Sequence, residues 1–108
     1  MNGTWRQLRG RRVGAILLAV SALGAPAEAS DPAYGEYLSS ACVTCHRLDG
    51  ADKGIPSIVG WPSDQFITVL KSYKTRERPN QVMQTIAGRL SDDEMAALAA
   101  YYGSLKAP

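Results

Sequence analysis

Cys42-Val43-Thr44-Cys45-His46 is the stretch on which the reading of this chain turns. It holds the only two cysteines and the only histidine among 108 residues. Two thiols three residues apart lie on one side of a helical turn, so each can add to one of the two vinyl groups of a haem. The histidine that follows then sits under the iron and offers a ring nitrogen. One short segment thus supplies two covalent tethers, Cys42 and Cys45, and one axial ligand, His46, and the pentad reads as an attachment site for one c-type haem. The competing readings fit less well. A redox dithiol of the thioredoxin kind needs a strand before the pair, whereas Tyr34 to Ala41 reads as helix. A structural zinc site normally takes four Cys or His ligands, and the chain has three. A disulfide between Cys42 and Cys45 would close a loop too small to stabilise much.

Upstream of the pentad, Arg6, Arg9, Arg11 and Arg12 precede an uncharged apolar run from Val13 to Ala25, followed by the small-x-small triplet Ala27-Glu28-Ala29. That order is the layout of a secretory signal peptide. The run is shorter than the roughly 20 apolar residues of a membrane-spanning helix. The expectation is a leader over residues 1–29, a folded domain over residues 30–108, export to the periplasm, and no membrane anchor once the leader is removed. Export agrees with the pentad, because thioether attachment of this type is made outside the cytoplasm.

Of the 12 basic and 10 acidic residues, four arginines and Glu28 lie in the leader, which leaves eight basic against nine acidic residues and a formal net charge of −1. Such a domain lacks the basic patch that nucleic-acid binding requires. It is also too short for a second domain. A chain of this length usually needs a staple beyond its own core, and two cysteines cannot build a disulfide framework. A large, flat, apolar haem would fill that need.

The remaining residues read as short helices joined by turns, with no stretch alternating as a strand would. Asp31 can cap a helix that starts at Pro32 and runs to about Ala41. Residues 47–54 form a polar loop, and Ile55 to Gly60, broken by proline and glycine, reads as an extended loop against the haem. Ser63 can cap a helix from Asp64 to about Lys74, with Phe66, Ile67, Leu70 and Tyr73 at helical spacing. Asn80 can cap Gln81 to Ala87, with Gly88 as its stop. Ser91-Asp92-Asp93-Glu94 is a capping box, opening a last helix to about Gly103 in which Met95, Leu98, Tyr101 and Tyr102 are available for packing.

The order Gly35, Cys42-x-x-Cys45-His46, Pro56-x-x-x-Gly60, Met83 and a C-terminal helix with Tyr101 resembles the class I c-type cytochromes. Gly54-Ile55-Pro56-Ser57-Ile58-Val59-Gly60 and Arg78-Pro79-x-x-x-Met83-x-x-Ile86-Ala87 are similar to the cytochrome subunit of flavocytochrome c sulfide dehydrogenases. The resemblance implies an all-α fold of about four short helices around one covalent haem c. It implies one-electron transfer with no substrate chemistry of the chain's own. The partner it implies is a flavoprotein dehydrogenase that oxidises sulfide, and the alternative is a freely diffusing carrier between periplasmic redox proteins. A thiol–disulfide oxidoreductase and a gas-binding haem protein are the remaining readings.

In that family a methionine takes the second face of the iron. Outside the leader the chain has Met83 and Met95. Met83 follows the Pro79-Asn80 loop, a place from which a side chain can reach across a haem. Met95 matches a core position, and a methionine at helical spacing is more often core than ligand. The expected ligands are His46 and Met83, with a five-coordinate iron as the alternative. The resemblance further implies that the Pro56 carbonyl fixes the His46 ring, the alternative being that Pro56 only shapes its loop. It implies too that Gly35 lets the first and last helices cross near Leu98 and Tyr101. Trp61, Tyr73, Arg76 and Arg78 are candidates for contact with the haem propionates, with a core or surface role as the default for each.

Overall fold

The structure, a computed structural model, describes residues 31–107 together with the isolated positions Gly14 and Ala19. The leader expected at residues 1–29 otherwise lies outside the described residues. Asp31 accepts a hydrogen bond from the Ala33 N–H (2.9 Å) and Pro32 fills the first turn, which starts α1 at Pro32–Leu38. One helix was expected to reach about Ala41. Instead α1 ends at Leu38, and a separate turn, α2, covers Ser40–Val43. The cause lies at buried Ser39. Its hydroxyl donates back to the Glu36 carbonyl (2.7 Å), and its N–H is shared between the carbonyls of Gly35 and Glu36 (2.9 and 3.1 Å). Such back-bonding tightens a turn and competes with the regular helical ladder.

Three longer helices follow: α3 (Ser63–Lys74), α4 (Gln81–Gly88) and α5 (Asp92–Ser104). The described residues therefore form five helices and no strand, where about four helices were expected. Pro62, not Ser63, holds the cap position of α3. Ser63 is the first helical residue, and its hydroxyl donates to the Ala99 carbonyl (3.4 Å), tying α3 to α5. Asn80 caps α4 as expected, accepting from the Met83 N–H (3.0 Å). Gly88 lies inside α4 as its last residue, and Arg89 follows in right-handed conformation, so no left-handed glycine ends this helix. The capping box at Ser91 and Glu94 is formed in both directions. Three acidic residues in that first turn complement the helix dipole.

α5 is the axis of the molecule. Met95, Ala97, Leu98, Ala99, Tyr101 and Tyr102 are all buried, so the helix is covered on nearly every side. α1 crosses it on one side, and α3 packs against both α5 and α4. Gly35 sits at the first crossing. A methyl group there would lie 2.6 Å from the Ala97 carbonyl carbon and 2.7 Å from Cβ of Tyr101. The close approach expected at Leu98 and Tyr101 therefore occurs at Ala97 and Tyr101. Aromatic rings build a further wall against α5. Phe66 stacks on Tyr102 (5.5 Å between centroids) and meets Trp61 edge-on at 6.5 Å. The irregular segment before α3 is fastened to α5 by Gly60, whose N–H donates to the Tyr102 carbonyl (2.9 Å) at a φ of 75°. A side chain at that φ would be strained.

Candidate functional site

The helices leave a cavity of about 340 Å³, near the lower end of the roughly 300–1,000 Å³ of small-molecule sites. Cys42, Cys45 and His46 line it from the end of α2 and the turn after it. Ile55, Pro56, Ile58 and Trp61 line it from the irregular segment, and Phe66, Leu70 and Tyr73 from α3. Val82, Met83 and Ile86 come from α4 and Leu98 from α5. Most of this wall is hydrocarbon or aromatic ring.

Local backbone structure positions the pentad. The His46 N–H donates to the Cys42 carbonyl (2.8 Å) and the Cys45 N–H to the same oxygen (3.1 Å), so the two cysteines and the histidine are held in one tight turn. Neither cysteine is in a disulfide. Burial pushes the Cys42 thiol pKa up, partly offset by hydrogen bonding with Tyr102. A dithiol oxidoreductase needs the opposite, a thiol whose pKa is lowered. The Tyr102 hydroxyl is fully buried and lacks a hydrogen-bond partner of good geometry among the described residues. Burial raises its pKa as well, and Cys42 adds to the rise.

His46 Nδ1 lies 2.7 Å from the carbonyl oxygen of Pro56. A carbonyl only accepts, so Nδ1 carries the proton and donates it. In the neutral ring the other nitrogen, Nε2, then has its lone pair free, the form in which imidazole binds a metal. His46, Pro56 and both cysteines thus meet at one cavity. Met83 lines the same cavity, half-buried, whereas Met95 is fully buried in the core and does not line it. Among the described residues, no group of three or more His, Cys, Asp or Glu side chains converges as for a bare metal ion. The donor set (two sulfurs, one oriented imidazole, one thioether) and the apolar walls fit an iron porphyrin rather than such an ion.

Of the other candidates, Trp61, Tyr73 and Arg78 line the cavity, and Arg76 does not. Sequence reasoning missed Asn80, Val82 and Ile86 as lining residues. The signal lay in the helical spacing of Val82, Met83 and Ile86, which puts them along one side of α4.

Residues 30–101 match the family model described as cytochrome C oxidase, cbb3-type, subunit III. The chain is 34% identical over 100 residues to the thiosulfate dehydrogenase electron acceptor of Stutzerimonas stutzeri, covering 89% of this chain and 46% of that protein. It is 33% identical over 81 residues to cytochrome c-554(548) of Halomonas halodenitrificans, covering 70% of this chain and 98% of the relative. It is 36% identical over 72 residues to the cytochrome subunit of sulfide dehydrogenase of Chlorobaculum tepidum, with 66% of each chain covered. The chain thus spans about half the length of the first of these relatives and nearly all of the second. A family match over most of the chain, together with a relative matched along almost its whole length, means that the chain belongs to this family of c-type cytochromes, which carry a covalently bound haem c and transfer electrons through it.

Proposed function

We propose that this chain is a periplasmic one-electron carrier, with its haem tethered at Cys42 and Cys45 and its iron held by His46 and Met83. We propose further that it serves as the electron-accepting cytochrome subunit of a sulfide-oxidising flavoprotein. The observation that carries the ligation is the His46–Pro56 hydrogen bond at the cavity that both cysteines and Met83 also line. When bound, the haem supplies a ferric/ferrous couple. The chain's residues do the rest. Pro56 holds the imidazole in one tautomer and one orientation, which raises its basicity as a ligand. Met83 offers a soft thioether, which raises the potential of the couple. The apolar walls keep water from the iron. Residues 1–29 act in this reading as an export leader, and residues 30–108 as the cytochrome domain.

The partner reading draws support from the cavity rim. Ile55 and Val82 line the cavity and are also 40% and 63% exposed. Charge near the rim is mixed, with Arg47, Asp49, Asp52 and Lys53 on one loop and Arg76, Glu77 and Arg78 on another. An apolar rim without a dominant sign suits lasting short-range contact better than long-range steering. The sulfide dehydrogenase subunit of Chlorobaculum tepidum points to the same class of partner. A freely diffusing carrier is the second reading, supported by the near-complete match to cytochrome c-554(548).

Purification from the native periplasm at high salt tests both parts. The expected intact mass is that of residues 30–108 plus one haem, with colour that acid–acetone does not extract. Extractable haem would overturn the attachment. Co-elution with a flavin-containing chain supports the subunit reading. A monomer whose electron-exchange rates fall steeply with salt supports the free carrier instead.

A further inference from the structure

Tyr102 lies on α5 and has no exposed surface. Packing accounts for its ring, which stacks on Phe66 (5.5 Å between centroids) and meets Tyr101 edge-on (5.1 Å). Packing does not account for its hydroxyl. Among the described residues that oxygen is the one fully buried side-chain polar atom without a hydrogen-bond partner of good geometry. A phenylalanine would fill the same space and leave no donor in the core, where an unmade hydrogen bond is costly. Two polar side chains come near the hydroxyl, those of Cys42 and Ser39. The Ser39 hydroxyl is already committed as a donor to the Glu36 carbonyl (2.7 Å). Cys42 is half-buried, packs on the core cluster that contains Tyr102, and lines the cavity. Cys45, by contrast, is exposed.

The direction of the contact follows from its effects on the two groups. Burial raises the pKa of both, and their hydrogen bond lowers that of Cys42 and raises that of Tyr102. An O–H that donates to sulfur does this, because it favours the bare sulfur and retains the phenolic proton. Ser39 acts on Tyr102 in the opposite sense and more weakly. A sulfur is a weak acceptor, but a thioether sulfur carries no hydrogen and can only accept. We infer that the Tyr102 hydroxyl donates to the Cys42 sulfur in the haem-bearing protein, and that Tyr102 is the positioning residue for this tether. The inference rests on haem attachment at Cys42 as proposed above. It makes the two tethers unequal. Cys45 sits toward solvent, whereas Cys42 is pinned to the buried helix that carries most of the core. Tyr102 is not among the residues that line the cavity, so it reaches the cofactor through the sulfur alone.

The test uses the isotope-labelled ferrous holoprotein, matured in an exporting host with haem-attachment machinery. Its NMR spectrum is expected to show a slowly exchanging hydroxyl proton on Tyr102. Magnetisation should pass from that proton to the Cys42 methylene and to the bridge protons of its thioether. Tyr102→Phe should abolish the resonance and shift Cβ of Cys42 while leaving Cβ of Cys45 in place. Ser39→Ala should keep the resonance and its transfer to Cys42. Tyr101→Phe, a change at the neighbouring ring on α5, should alter neither. Transfer to Ser39 with none to Cys42 overturns the inference, as does loss of the resonance in Ser39→Ala. Equal shifts at Cys42 and Cys45 in Tyr102→Phe overturn it too, because a general loosening of the core would act on both. Should Tyr102→Phe fail to mature, the wild-type spectrum decides, and absence of transfer to Cys42 overturns the assignment. Wild-type protein that carries no covalent haem would instead overturn the function proposed above, a distinguishable failure.

Discussion

The α5 helix and the segment from Thr44 to Pro62 differ in almost every physical respect, yet they serve the same cavity. α5 is regular, capped at its start in both directions and buried on nearly all sides. The other segment is irregular and largely exposed, held by short turns such as the Asp49 and Asp52 side chains on the N–H groups of Ala51 and Gly54. Only Val59 in it is buried among apolar residues. The candidate cofactor-binding residues Cys45, His46 and Pro56 sit on the loosely packed segment, and packing sits on α5, which lends the cavity little besides Leu98. The lesson is a division of labour. A small chain places its reactive groups where the backbone is free to bend toward a cofactor, and keeps one fully covered helix to hold the bends in place.

The two methionines give the sharpest way to break that comparison. Met95 has no exposed surface and belongs to the core around α5. Met95→Ala should cost about 2–5 kcal/mol, the range for deleting a fully buried methionine side chain, and should leave the spectrum of the haem iron unchanged. Met83→Ala should do the reverse. The weak near-infrared charge-transfer band of methionine-ligated ferric haem should vanish, the potential should fall, and the ferrous iron should bind carbon monoxide. Denaturant melts and absorption spectra of the two variants check this. Spectral loss in the Met95 variant would reverse the ligand assignment.

Gly35 tests the same division from the other side, where α1 presses on α5. Alanine is the better helix former by about 1 kcal/mol. Here its methyl group would fall 2.6 Å from a backbone carbon, and backbone cannot turn aside as a side chain can. Gly35→Ala should therefore lose stability, by about 1–3 kcal/mol as for other overpacked sites. The absorption spectrum of the folded fraction should be that of wild type, because Gly35 does not line the cavity. A stabilised variant, measured by thermal melting, would mean that the two helices separate freely at this crossing.

How much of this was legible beforehand follows from where each signal resides. The pentad was readable because attachment chemistry demands its residues side by side in sequence. The caps at Asp31, Asn80 and Ser91 were readable because each contact is local, spanning two or three residues. Ser63 was misread, and the helix break at Ser39 missed, for a related reason. A serine hydroxyl can cap a helix, bond back within it or reach another helix, and only the packed structure decides. Ser39 bonds back to Glu36, and Ser63 reaches Ala99. The Pro56 carbonyl has no side-chain signature, so only resemblance could single it out. Arg76 and Arg78 look alike in sequence. The fold separates them, because Arg76 adopts a left-handed φ of 64° at the end of α3 and Arg78 returns to the cavity.

The smallest expected effect concerns the loosely packed segment and its surface charges. Hydrogen bonds from the Arg47 guanidinium (Nε to Oδ1 and Oδ2 at 3.1 Å each), helped by the Ala51 N–H at 3.0 Å, lower the Asp49 pKa to about 2. A carboxylate with a depressed pKa in the folded state adds stability that is fully present above its unfolded pKa, near 3.9, and is lost as pH falls through the folded value. The window is therefore about pH 4 down to about pH 2, and no contribution to the slope is expected at neutral pH. The group is fully exposed, so solvent screens the pair and the effect must be small. Asp49→Asn should melt slightly below wild type at pH 6, and the gap should close as pH approaches 2. Thermal melts at matched ionic strength across that range check it. The absence of a gap at any pH would mean that Asp49 acts only as a turn residue, through its bond to the Ala51 N–H, which asparagine keeps. High salt should shrink the gap at pH 6 if charge is responsible, whereas substitutions confined to the α5 core should show neither dependence.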